Sequence, residues 1–309
     1  MPLLTIRHVT TYRYRQPVAL GEHRMMLRPR DTQEQRVVEA RLDIRPEPIS
    51  LRFAEDAFGN HLAIARFFGR TQELCFESSV SIEHRPQDLT DRDLDDDCMS
   101  PVAYGASELP DLALYIERRD TDPENVVGNW VRQVLPAGET VGALELFTHI
   151  SQGIKRGFRY RRREAKGIQR PVETLRLGHG SCRDFALLLI ESARSLGFAA
   201  RFASGYLAIP LDDLDDPKGS ARGSTHAWAQ IYLPEIGWIS FDPTCGGVGN
   251  KDLVTVAVAR DPSHTTPLHG TFIGLPSDPL GMDVQVKVSS DTSETRWAAA
   301  RPPLSLRPN

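Results

Sequence analysis

The run that opens at Gly178-His179-Gly180-Ser181-Cys182-Arg183-Asp184-Phe185-Ala186 and continues through Leu187, Leu188, Leu189 and Ile190 leaves a helix with almost no polar face. Such a helix belongs inside a core, so other elements must cover it on most sides. Its ends are marked. Ser181 and Asp184 form a Ser-x-x-Asp capping box that starts the helix at Cys182, and Gly197 supplies the left-handed residue that closes it after Leu196. Cys182 therefore sits in the first turn, near unpaired backbone N–H groups and the positive end of the helix dipole, where a thiolate is favoured. A buried, inert cysteine would fit the same place. The helix alone does not decide between them.

Two strands further along bear on that choice. His226 to Leu233 alternates, with His226, Trp228, Gln230 and Tyr232 on one face. Trp238 to Asp242 alternates too, with Trp238, Ser240 and Asp242 together, and Pro234-Glu235-Ile236-Gly237 turns between the strands. His226 and Asp242 share a side only if a three- or five-residue loop pairs Trp228 with Asp242, which makes His226 the diagonal neighbour of Asp242. A nucleophile at a helix N-terminus facing a His–Asp pair on a sheet is the papain-type arrangement. His226 would take the thiol proton and Asp242 would fix the ring tautomer and stabilise the cation. The Cys182 N–H would hold an oxyanion, worth roughly 3 kcal/mol per donor in comparable sites.

The rest of the chain falls into regions. Residues 1–95 read as short alternating strands (Leu3 to Tyr14, Val37 to Ile44, His61 to Phe68, Glu73 to His84) with turn residues at 56–60, an antiparallel sandwich in which His8 and His23 are packing or surface residues. The acidic run 87–98 lacks the offsets of an EF-hand loop and reads as a solvated linker. Helical periodicity covers Pro110 to Arg118, Asp122 to Leu135 (Asp122 as N-cap, Pro123 first) and Thr140 to Gly157. The basic stretch Phe158-Arg-Tyr-Arg-Arg-Arg-Glu reads as a helix end, though a surface that receives a negative group would explain it too. Strands follow at Ala200 to Ile209, Leu253 to Val258 and Met282 to Val288. The polar loop 211–223 and the tail 289–309 look mobile. The second region, 105–288, is the catalytic one.

With 309 residues, 40% hydrophobic and 25% charged, the chain suits a globular protein, and a net charge of −4 offers no case for nucleic acid or an acidic membrane surface. The N-terminus shows no signal-peptide pattern and no apolar run reaches a bilayer span, so a cytoplasmic address without membrane attachment is expected. Cys75, Cys98, Cys182 and Cys245 are scattered, without a Cys-x-x-Cys pair, so neither a metal site, a cofactor nor a disulfide framework is expected.

Four segments, Gly-Ser-Cys-Arg-Asp-Phe-Ala (180–186), Arg-Ser-Leu-Gly-Phe-Ala-Ala-Arg-Phe-Ala-Ser-Gly-Tyr-Leu (194–207), Thr-His-Ala-Trp (225–228) and Gly-Trp-Ile-Ser-Phe-Asp-Pro-Thr (237–244), resemble the bacterial transglutaminase-like proteins of the papain-like superfamily. The stretch His8-Val-Thr-Thr-Tyr-Arg-Tyr, with Pro17-Val and Leu27-Arg-Pro-Arg, is similar to the β-rich domain that precedes their core. The resemblance implies an α+β fold, a β-rich domain followed by a core whose cysteine helix packs on an antiparallel sheet, and a triad of Cys182, His226 and Asp242. Cys245, where asparagine often follows Asp-Pro-Thr, and Ala259-Arg-Asp-Pro-Ser, in place of Gly-Arg-Asp-Tyr, depart from the pattern. The implied chemistry is attack on an amide through a thioester, with a protein or peptide as substrate. The outcome is hydrolysis, transglutamination or, for an inactive member, binding alone. The oligomeric state is left open.

Overall fold

Alternation in the first region produces long antiparallel strands: β1 (Leu3–Met25), β2 (Gln35–Arg45), β3 (Ser50–Glu55), β4 (His61–Arg66) and β5 (Arg70–His84). The computed structural model describes residues 3–86, 104–135, 142–163, 167–208 and 224–290. The acidic run 87–98, the loop 211–223 and the tail from 291 lie outside them. Helices α1 (Leu109–Ile116), α2 (Val126–Val134) and α3 (Ala143–Gly157) follow, then β6 (Arg159–Tyr160), α4 (Pro171–Leu177), β7 (His179–Gly180) and α5 (Cys182–Ser195). The chain continues as β8 (Ala200–Leu207), β9 (Ser224–Leu233), β10 (Gly237–Asp242), β11 (Gly247–Val248), β12 (Leu253–Ala259), β13 (Leu268–Ile273) and β14 (Pro279–Ser290). None of the described helices is long and apolar enough to cross a membrane.

Where sequence suggested a two-sheet sandwich, the first region forms one curled sheet of seven strands, in the order β2-β5-β1-β4-β3 with β13 and β14 also on β1. The reason is the length of β1. Its first half pairs with β5 and β14, and after the irregularity between Arg13 and Val18 its end pairs with β13 and β4. Residues 268–288, grouped with the second region by sequence, and residues 289–290, assigned to the tail, thus pair with β1 of the first region.

The second sheet runs β11-β10-β9-β8-β12. Phe185, Leu188 and Leu189 of α5 share a core with Phe147 and Ile150 of α3, Ala229 and Ile231 of β9, and Phe241 of β10. Each large side chain buried there contributes about 1.5–3 kcal/mol. The two sheets meet in another apolar cluster, with Leu4, Ile6, Val80, Ile82, Val286 and Val288 from the first sheet against Tyr206, Val254 and Val256 from the second. His8 is buried at this junction, its Nδ1 3.0 Å from the Tyr206 hydroxyl, and burial lowers its pKa to about 4, so it packs as a neutral ring.

β12 is an edge strand, and its outer edge is closed by two side chains of the first region. The Gln35 amide donates to the Thr255 carbonyl at 2.7 Å and accepts the Thr255 N–H at 2.9 Å. The Asn60 amide does the same for Val258, at 2.8 and 2.9 Å. Each amide stands in for a peptide group of a missing strand, which satisfies backbone groups that would otherwise be buried without partners.

Asp122 caps as expected but for a helix that starts later. Its carboxylate accepts the Val126 and Val127 N–H groups at 2.7 and 3.0 Å, and left-handed Asn125 (φ 50°) separates it from α2. Sequence reading missed α4, although Pro171 at its first turn is an ordinary helix start.

Candidate active site

Cys182 is the first residue of α5, and the capping box forms around it. Asp184 is fully buried, and its carboxylate accepts the Ser181 backbone N–H and the Ser181 hydroxyl, both at 2.8 Å. The other carboxylate oxygen accepts Arg163 at 2.8 Å and the Gln169 N–H at 2.7 Å. One side chain therefore ties the helix end to the incoming segment 163–169. The parallel pair β6–β7 fixes the approach on the other side, with Arg161 N–H donating to Gly180 O at 2.8 Å. Gly180 has to be glycine: a Cβ there would stand 2.9 Å from the Asp184 Cβ.

His226 and Asp242 come from adjacent strands. Leu233 pairs with Gly237 across three loop residues, 234–236, and Ala229 pairs with Phe241. Continuing that register sets Trp228 opposite Asp242, as alternation required. His226 Nε2 and Asp242 Oδ2 are 2.7 Å apart, both residues buried. Asp242 Oδ1 accepts the backbone N–H groups of Thr244 at 2.9 Å and Cys245 at 3.3 Å. The half-buried Cys182 lies close enough to the His226 ring to contribute to its raised pKa. With Nε2 taken by Asp242, Nδ1 is the nitrogen left for the thiol.

The electrostatics follow from this geometry. Burial alone would lower the His226 pKa, but the charge and hydrogen bond of Asp242, with a further contribution from Cys182, hold it well above the ordinary imidazole value. Burial alone would raise Asp242. The His226 charge and the bonds from His226, Thr244 and Cys245 hold it below the ordinary carboxylate value. Trp228 stacks on His226 at 6.3 Å between ring centroids and donates to Ser240 Oγ at 3.2 Å. Gln230 also donates to Ser240 Oγ at 3.2 Å. The shared strand face thus forms a packed, hydrogen-bonded floor under the ring.

Two neighbours were not assigned from sequence. The Tyr160 ring packs 6.5 Å from Phe185, and its phenol pKa is raised, first by burial and then by the charges of Cys182, Cys245 and Asp242. Nothing in its sequence context separates it from any aromatic residue. Lys155, at the end of α3, donates to the Cys245 carbonyl at 2.7 Å. Burial, and then the Asp242 charge, push the Cys245 thiol up to about 12, so it stays protonated.

His226, Asp242 and Cys245 offer ligand atoms within 4.8 Å of one another, the residues among those described that could hold a metal ion. A metal there would have to break the 2.7 Å His–Asp pair. The arrangement as it stands can move a thiol proton onto a ring and hold the resulting cation.

Two family models match. The bacterial transglutaminase-like N-terminal region covers residues 4–83, and the transglutaminase-like superfamily core covers 131–243. An uncharacterized protein of Mycobacterium tuberculosis is 29% identical over 298 residues, spanning 92% of this chain and 91% of its own. An uncharacterized protein of Mycobacterium leprae is 24% identical over 300 residues, spanning 92% and 98%. A crystal structure of a candidate cysteine protease from Cytophaga hutchinsonii aligns with a TM-score of 0.68 at 17% identity, over 96% of this chain and 94% of that one, a likeness of fold.

Proposed function

The chain belongs to the transglutaminase-like superfamily, with the bacterial N-terminal region ahead of the core, and on that premise we propose that it is a cysteine hydrolase of peptide or isopeptide amides. Cys182, His226 and Asp242 are the catalytic residues. His226 Nδ1 takes the thiol proton, and the imidazolium is held by Asp242 through Nε2–H. The thiolate attacks the amide carbonyl, and the Cys182 N–H receives the oxyanion. Collapse breaks the C–N bond, with His226 returning its proton to the leaving amine, and a thioester remains. Water, deprotonated by His226, attacks the thioester. The carboxylic acid leaves and the thiol is restored.

The observation that carries this reading is the buried 2.7 Å His226–Asp242 pair, with Cys182 near enough to help raise the His226 pKa. The half-exposed position of Cys182 supports water as the acceptor, since a transferase has to keep water from its thioester. The test is incubation of a peptide library with the protein, with and without a primary amine, read by mass spectrometry. Cleavage that disappears in Cys182→Ala is the expected result. Gain of amine mass would make the protein a transglutaminase, and an unchanged library across broad sampling would make it a binding module.

A further inference from the structure

The mouth of the site carries cations that have no ion pair among the described residues. Lys155 is exposed, and its ammonium is held 2.7 Å from the Cys245 carbonyl, three residues past Asp242. Its stem lies across Gly246, where a Cβ would stand 2.8 Å from Lys155 Cδ and where φ is +72°. The turn after β10 is therefore shaped to seat this lysine. On the other side, Arg162 is exposed two residues beyond Tyr160, which puts it on the Tyr160 side of an extended segment. The Tyr160 phenol feels its charge. Arg159 and Arg161, also exposed, flank it.

Elsewhere exposed arginines are commonly paired, as in Arg7–Glu77, Arg41–Glu39 and Arg66–Glu22. Lys155, Arg159, Arg161 and Arg162 have no ion pair among the described residues. The two carboxylates at the site are committed, Asp242 to His226 and Asp184 to Arg163 and Ser181. Lys155 at the Cys245 carbonyl and Arg162 near Tyr160, on a chain of net charge −4, favour the opposite sign in what approaches Cys182.

We propose that the substrate is an acidic peptide, with a carboxylate beside the amide that Cys182 attacks, and that Lys155 and Arg162 receive that carboxylate. This deepens the hydrolase reading and rests on it. Lysine offers a point charge and arginine a planar fork, two complementary ways of receiving a carboxylate.

The test needs no known substrate. Cys182 is alkylated in the full chain with iodoacetate and with iodoacetamide at low salt, and peptide mapping reads the rate at that residue. Iodoacetate sets a carboxylate beside the reacting carbon and iodoacetamide does not. In K155Q/R162Q the iodoacetate-to-iodoacetamide rate ratio falls about three- to ten-fold, and in the parent chain salt lowers it in the same direction. R15Q/R52Q, which removes two exposed charges of the first sheet, leaves the ratio unchanged. An equal ratio in the parent and K155Q/R162Q, or an equal fall in R15Q/R52Q, overturns the acidic-substrate inference while a fast Cys182 still supports the hydrolase. A Cys182 inert to both reagents overturns the hydrolase reading and this inference with it.

Discussion

The two sheets solve opposite problems. The first has a wet side: Arg7–Glu77 and Arg13–Glu73 bridge its strands in solvent, and Phe53 and Phe68 are 60% and 87% exposed. In the second, all seven residues of β12 are buried, as are all but one of β8. A charged His–Asp pair gains little where water screens it and much where water is excluded. The covered sheet can therefore hold His226 and Asp242 as an ion pair, where the wet side of the first sheet would screen one. Cys182, the proposed nucleophile, sits at the border of the dry region and is only partly buried.

That contrast can be broken by substitution, and the largest effect is expected at the border. Cys182→Ala should abolish turnover and the fast-alkylating thiol, leaving buried Cys75 slow, with the circular dichroism spectrum unchanged. Retained fast labelling would place the nucleophile elsewhere. Next is Asp242→Asn, expected to lower turnover roughly 10³–10⁴-fold. The same change should bring the His226 titration, followed by NMR, down from its raised value, because burial then acts without the opposing charge. The pH dependence of stability has a definite sign. The His226 contribution is present in full below the ordinary imidazole value and is lost as pH rises through its raised folded value. That of Asp242 is present above the ordinary carboxylate value and is lost as pH falls through its lowered one. Across neutral pH the pair supports the fold, and a stability difference between parent and Asp242→Asn that grew toward acid would contradict it.

Third comes Gly205→Ala in the covered sheet. Gly205 pairs with His226, and a Cβ there would stand 1.9 Å from the Val254 carbonyl oxygen. The strand must shift, at a cost of about 1–3 kcal/mol in chemical denaturation. The smallest effect is Arg7→Ala on the open sheet, within about 0.5 kcal/mol. A cost there equal to that of Gly205→Ala would erase the distinction between the sheets.

Sequence carried the site further than the fold around it. Ser181 and Asp184 act within one turn, and alternation across a short hairpin fixes which residues face Asp242, so both are visible in neighbouring letters. Pairing of β14 with β1 joins residues nearly a chain length apart, and no local signal records it. The length of β1 was hidden for a related reason. Alternation marks a strand only as far as Tyr14, yet β1 continues to Met25 by changing partners. Lys155 and Tyr160 belong to the site through tertiary contacts alone. The basic run at 158–164 showed charge in the sequence, but only the fold brings Tyr160 near Cys182.

The amides of Gln35 and Asn60 have a consequence for any attempt to cut the protein in two. A fragment beginning near residue 105 would keep Cys182, His226 and Asp242 but leave Thr255 and Val258 as a bare β-edge, and would strip the apolar cover from Val254 and Val256. Such an edge invites another strand, so the fragment's fate is self-association. The N-terminal region thus supplies the last backbone partners of the sheet that carries His226 and Asp242, and the two regions are expected to be stable only together.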